Sequence, residues 1–309
     1  MHYFSTAYQL KKGLTEKGRV EMIRRIKINF KYIFTKFTLI VSIVFGIISG
    51  IQIFADWNTI GIKDTKNKIL ILLALLLLCG VIAFIWGGFL SNKRTIYSRD
   101  EVEINVKYGD LMKISFPKKN VEERIVVIAV NQCFDTIVDQ NVIREASVHG
   151  QFIKNYVHNI SDLHKLDIEI KDSLSEFGYE YTLLKRDDKL YGKLDRYPRG
   201  SIARINGDNG VTFFLLALTG FDRNCKAHCN KREYVESVLK LFEYYDSHGQ
   251  GKELYLYPMG TGMARTGLSK KEALESIITL TKISKEHLRS KTTIIVDKRC
   301  KNDISITEF

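Results

Sequence analysis

The stretch "YPMGTGMARTGLSKKEAL", Tyr257 to Leu274, sets Gly260 and Gly262 on either side of Thr261, between a strand-like run and a helix start. Glycines in such a turn accept positive φ and let backbone N–H groups approach a ligand with no Cβ in the way. Successive unpaired N–H groups form an anion-binding concavity, and a helix beginning nearby adds a favourable dipole. The chemistry on offer is the holding of a phosphate or diphosphate by the backbone around Gly260 and Gly262. Arg265 is placed to pair with a phosphate oxygen as a flexible clamp, or to lie solvated. No Gly-Lys-Ser/Thr follows, which excludes a Walker loop. A third glycine and an acidic residue after the next strand are also missing, which excludes a dinucleotide fingerprint.

Other residues could complete a nucleotide site. The run "RIVVIAVN" ends at Asn131, whose amide both donates and accepts, so it suits a sugar hydroxyl or a base edge; a cap on the strand end is the plain alternative. In "VKYGDLMKI", Asp110 follows another strand, where a carboxylate could accept from an adenine amino group, or simply make a surface turn. His149 and Gly150 sit in a polar segment that could close over the far end of a ligand, where an imidazole-bearing group could stack. Five cysteines, Cys79, Cys133, Cys225, Cys229 and Cys300, are scattered and odd in number, so no disulfide framework is implied. "CKAHC" offers Cys225, His228 and Cys229, but no second pair follows with zinc-like spacing, and unliganded loop residues are expected; metal ligands: none.

These loops need a sheet to carry them. Beyond about residue 100 the composition is that of an α/β domain, with candidate strands "EVEINVKYG", "RIVVIAVN", "GYEYTLL", "GSIARIN", "GVTFFLLALT", "KELYLYP" and "KTTIIVD". Several are continuous apolar runs, as expected of strands buried on both faces. Between them, Val235, Val238, Leu239 and Phe242 make one helical face, and Ala273, Leu274, Ile277 and Ile278 another. Ser269 and Glu272 have capping-box spacing, so a helix should begin at about residue 270. Strands alternating with helices argue for a mixed sheet covered by helices.

The first third of the chain is different. Residues 37–55 and 69–90 are charge-free runs of 19 and 22 residues, each long enough to cross a hydrocarbon core of roughly 30 Å as a helix. The 13 residues between them allow only a tight hairpin, which puts both chain ends on one side. Nine Lys or Arg lie between Lys11 and Lys36, against Glu16 and Glu21, so the bias favours both termini in the cytoplasm. Val20, Ile23, Ile26, Phe30 and Phe34 recur at helical spacing, so this basic segment either lies along the membrane or runs straight into the first span. Attraction to anionic lipid is sufficient to explain much of the net charge of +12. No nucleic-acid motif accompanies the basic residues, and no nucleic-acid partner is expected. The expected division is a basic cytoplasmic segment at 1–33, a two-helix transmembrane hairpin at 34–92 and a cytoplasmic nucleotide-binding domain at 96–309.

In this order, the pieces resemble the macro domain, a three-layer α/β/α module with a mixed sheet that binds ADP-ribose and related products. "GDLMKI" resembles the element whose aspartate holds adenine, "VVIAVN" the strand ending in the ribose-side asparagine, and "YPMGTGMARTGLSKKEAL" the diphosphate loop. The resemblance gives those roles to Asp110, Asn131 and the run Gly260 to Met263, with Gln132, His149, Gly150 and Arg265 as further ligand-binding candidates. Macro hydrolases usually carry a glycine run soon after the asparagine. Here "QCFDTIVDQNVIREASVHG" has no glycine before Gly150, and Gln132 stands where small residues are common, so binding is expected rather than hydrolysis. Two spans followed by such a domain are similar to the transmembrane–macro ThsA effector family of type II Thoeris anti-phage systems. The resemblance implies a bacterial inner-membrane effector that uses no cofactor. It would bind a nucleotide second messenger, an ADP-ribose derivative understood to be histidine–ADP-ribose, made from NAD by a partner TIR-domain enzyme, ThsB. The activated chain would form a homo-oligomer, act on membrane lipid and stop the cell. A membrane-tethered ADP-ribosyl hydrolase, with His149 or Asp135 activating water, is the alternative; a membrane-anchored scaffold with a plain glycine turn is the third.

Overall fold

The structure, a computed structural model, describes residues 2–55, 57, 59, 61–87, 91–261 and 264–309, with the backbone alone for 2–19. Its contacts divide it into two units, residues 95–298 and residues 1–94 with 299–309.

In the second of these units, helix α1 runs unbroken over His2–Gln52 and α2 over Thr65–Ile85. The basic segment therefore continues straight into the first apolar run, which no proline or capping residue interrupts. Both helices carry windows long and apolar enough to cross a membrane, Val20–Gln52 and Thr65–Ile85. Large apolar side chains such as Ile47, Leu70 and Leu77 stand more than half exposed on them, the signature of a surface meant for a partner other than water. The helices pack together where Gly87 lies against Ile33, so closely that a Cβ would meet both its side chain and its Cα. Gly46 and Gly50, by contrast, have nothing within 4 Å of where a side chain would begin.

The larger unit is built on a sheet of order β1-β2-β10-β9-β3-β7-β6, with β8 added on β7. Its strands are β1 (Lys93–Arg99), β2 (Val102–Gly109), β3 (Arg124–Asn131), β6 (Ile202–Asn206), β7 (Val211–Phe221), β8 (Ala227–His228), β9 (Glu253–Leu256) and β10 (Thr292–Asp297). From β2 through β10, β9 and β3 to β7 every pairing is parallel; β6 and β8 run antiparallel to β7. Parallel strands need crossovers, and helices supply them on both faces. Helices α4 (Val148–Tyr156) and α5 (Ile160–Glu176) lie on one side, where Val126, Ile128, Val130, Phe152, Leu166, Ile170 and Phe213 form one core. Helices α6 (Lys231–His248) and α7 (Lys270–Ile283) pack together over the other. The fold is thus the expected three-layer α/β/α arrangement with a mixed sheet.

Two local readings change. "GYEYTLL" yields only the two-residue strand β4 (Thr182–Leu183), paired with β5 (Asp195–Arg196) apart from the main sheet. Tyr181 and Leu183 there are exposed, so no core holds the segment flat. On α6, Val235 is exposed, and the buried face runs through Tyr234, Val238, Leu241, Phe242 and Tyr245. Tyrosines count as weakly apolar in a periodicity reading, yet the rings of Tyr234 and Tyr245 belong to that face.

Candidate functional site at the carboxyl end of the sheet

In an open parallel sheet, ligands bind beyond the carboxyl ends of the strands. Gly109–Asp110, Asn131 and the turn at Gly260 all lie at that end, after β2, β3 and β9. Between β3 and β9 the ladder covers only Arg124, Ile125 and Val126. Beyond it, the Ala129 N–H donates to the Tyr257 hydroxyl at 3.3 Å, so a side chain replaces the missing strand partner. Burial raises the Tyr257 pKa and keeps its hydroxyl protonated.

Asp110 is exposed and caps the short helix α3 (Leu111–Ser115): Oδ1 accepts from Met112 N at 3.0 Å and Lys113 N at 3.3 Å. Its Oδ2 has no partner among the described residues. Asn131 is buried beside a register shift in the β3–β7 ladder, a bulge of the kind that re-aims a side chain. Its Oδ1 accepts from Cys133 N at 3.0 Å and Asp135 N at 3.4 Å, while Nδ2 has no partner among the described residues. The oxygen therefore shapes the strand end, and the amide donors are left over.

Gln132 is committed to the protein. Its Nε2 donates to Tyr197 O at 3.0 Å, and its carbonyl accepts from Tyr197 N at 2.9 Å. Gly150 is also committed, because its N–H donates to the Ser147 Oγ cap at 2.9 Å and any Cβ would collide with the Arg144 carbonyl. His149, one residue earlier, is desolvated and lies near Lys193. Both effects push its pKa down, to about 3, so the ring is neutral at physiological pH.

The loop after Asn131 is a packed wall. Phe134 takes a left-handed conformation, φ 48°, with its ring buried edge-on against Tyr197. Asp135 is buried and both of its oxygens are occupied: Oδ2 by the Lys189 ammonium at 2.7 Å, Oδ1 by Lys193 N at 2.6 Å. Lys189 is wholly buried and also donates to Lys193 O, while Lys193 Nζ donates to Phe134 O and pairs with Asp167 at 2.6 Å. Asp135 is thus not a free base. Neither lysine stood out in the sequence, because "KRDDKLYGKLD" reads as a solvated loop.

The loop after β9 is built differently. Gly260 takes φ 86°, and Thr266 closes the turn by donating its hydroxyl to Gly260 O at 2.7 Å and accepting from Leu268 N. Ser269 then caps α7 in a full capping box with Glu272. Thr261 is half-buried; Arg265 is exposed at φ 49° and pairs with no described residue. Gly262 and Met263 lie outside the described residues. A surface cavity of about 310 Å³ lies elsewhere, between α6 and residues 198–201, and none of the expected site residues lines it. Cys225 and Cys229 are buried free thiols, and no group of three potential metal ligands lies together among the described residues.

Residues 104–297 match the family model described as "Thoeris protein ThsA, Macro domain". The Thoeris protein ThsA of Bacillus amyloliquefaciens (strain Y2) is 29% identical over 267 residues, covering 83% of this chain and 82% of that protein. Among solved structures, an Oceanobacillus iheyensis macrodomain with ADP covers 69% of this chain and 93% of its own, at 10% identity and a TM-score of 0.43. A variant of that macrodomain with ADPR covers 68% and 92%, at 10% identity and a TM-score of 0.44. These structural likenesses are too loose to carry any residue of the site across. The family match, over more than half of the chain and on the same sheet that carries the three loops, is decisive: this chain belongs to the Thoeris ThsA family, with a macro domain behind two apolar helices.

Proposed function

We propose that this Thoeris protein is a membrane-bound receptor for an ADP-ribose-derived signal, and that binding triggers membrane disruption and abortive infection. The observation that carries the reading is a set of leftover polar groups at one end of the sheet. Asp110 Oδ2 and Asn131 Nδ2 each remain available after a structural bond has fixed the rest of the side chain. Gly260, at positive φ, opens the third loop. Asp110 would accept from the adenine amino group, Asn131 would donate to a ribose hydroxyl, and the turn at 260–263 with Arg265 would hold the diphosphate. His149 would meet the far end as a neutral ring. The signal would be histidine–ADP-ribose, supplied by the TIR-domain partner ThsB; the hairpin would lie in the inner membrane with both termini cytoplasmic, and the bound protein would oligomerise.

Binding is favoured over hydrolysis by the wall after Asn131. Side chains fill the stretch where a glycine run would bring backbone against the distal ribose, and Asp135 is spent on Lys189 and Lys193. The test is calorimetric titration of the purified full-length chain with ADP-ribose and histidine–ADP-ribose, with chromatography of the ligand afterwards. Tighter binding of the conjugate, weakened in both Asp110→Ala and Asn131→Ala and with the ligand recovered intact, is the expected result. Turnover of an ADP-ribosylated substrate would establish the hydrolase instead, and absence of binding would leave a scaffold.

A further inference from the structure

The last eleven residues of the chain fold with the membrane helices, in a way that no nucleotide-binding role requires. Asn29, in the basic part of α1, is buried, with the exposed Lys27 and Lys31 two residues to either side of it. Its Oδ1 accepts from Ser305 Oγ at 2.6 Å and from Thr307 Oγ1 at 3.1 Å, while its Nδ2 donates to Arg25 O. Ser305 is buried between Ile304 and Ile306, both also buried. Around this polar core, Arg24 pairs with Asp303 at 3.1 Å and Arg94 Nε donates to the carbonyl of Phe309 at 2.9 Å. Lys301 reaches Asn92, which follows the second apolar run. The exposed ion pair contributes little, whereas buried, charge-free hydrogen bonds leave unsatisfied groups behind if they are parted. The chain that makes these contacts comes directly from β10, whose last residue, Asp297, is the register partner of Gly109, next to Asp110.

We infer that residues 299–309 are a strap on α1, through which occupancy beside Asp110 is coupled to the membrane hairpin: the signal favours the state with the strap released. The inference rests on the receptor reading and adds its transmission step. Coupling of this kind is reciprocal, so whatever factor the ligand applies to the strap, the strap applies to the ligand.

The experiment uses the full-length chain in lipid nanodiscs, with ADP-ribose as probe and Asn29→Cys combined with Ser305→Cys to lock the strap by a reversible disulfide. Saturating ADP-ribose should slow formation of the Cys–Cys bond about tenfold, and the locked protein should bind ADP-ribose about tenfold more weakly, within the usual range of allosteric coupling. Reduction should restore the affinity, which separates locking from misfolding. Ser305→Ala with Thr307→Val, which loosens the strap without a cross-link, should bind ADP-ribose more tightly than the parent. If ADP-ribose binds the locked and reduced forms equally and leaves the cross-linking rate unchanged, the strap is overturned while the receptor stands. If the parent chain binds neither ADP-ribose nor histidine–ADP-ribose, the receptor reading fails, and the strap's coupling role with it.

Discussion

The loop after β3 and the loop after β9 both project from the carboxyl end of one sheet, yet they are made in opposite ways. The first is closed from within by a buried carboxylate, a fully buried ammonium and a phenylalanine in a left-handed turn. The second is closed by one hydroxyl bonding to a glycine carbonyl, beside an exposed arginine that pairs with no described residue. A buried ion pair is weak evidence of stability, because desolvation offsets much of the attraction, but removing one partner strands the other at high cost. The β3 loop is therefore costly to rearrange, whereas the hydroxyl bond that closes the β9 turn involves no buried charge. The proposed receptor would use both, the fixed wall to measure the ligand against and the glycine turn to take up its phosphates.

The largest effect should come from breaking the wall. Lys189→Met leaves Asp135 buried without its charge partner and should cost about 3–5 kcal/mol in denaturant unfolding of the purified chain. Replacing both, Lys189→Met with Asp135→Leu, should recover most of that loss. A single mutant as stable as the parent would mean that the loop is held by something else. The turn should be cheaper to damage. Gly260→Val places a branched side chain at φ 86°, with its Cβ about 3.0 Å from Thr266 Cγ2, and should cost about 1–2 kcal/mol from the left-handed backbone alone. Its more telling consequence is at least a tenfold loss of ADP-ribose affinity, while Lys189→Met/Asp135→Leu should keep binding if the wall acts only through its shape. The smallest effect at neutral pH belongs to His149. Its folded pKa is depressed to about 3 against an ordinary 6.5, so its contribution is fully present above pH 6.5. As pH falls through that window the unfolded chain gains the proton first, and stability declines toward pH 3. His149→Gln should be near-neutral at pH 7.5 and should flatten the decline in unfolding midpoints measured from pH 7 to pH 5.

Much of this design was legible in the chain, and particular residues show why. The apolar runs of β3 and β7 can only be strands covered on both faces, and Ser269 with Glu272 marks the start of α7 because a capping box is a local device. Two long charge-free runs need no tertiary information to be read as membrane helices. Lys189 was invisible for the opposite reason: only its partner, 54 residues away in Asp135, makes a lysine at full burial reasonable. Gly150 was read with His149 as able to close over the far end of a ligand, and the close approach it makes to the Arg144 carbonyl could not be read from the chain. Asn29 and Ser305 stand 276 positions apart, and no periodicity or motif links them. Side-chain roles that depend on distant neighbours were the unreadable part.

The most direct test of a signal-gated membrane effector is dye release from liposomes of phosphatidylethanolamine and phosphatidylglycerol carrying the full-length chain, challenged with histidine–ADP-ribose. The account predicts retention of dye without ligand, rapid release with it, and retention again in Gly260→Val. Dye retained by the parent protein while ligand is demonstrably bound would contradict it, leaving a nucleotide-binding protein whose helices serve only to anchor it.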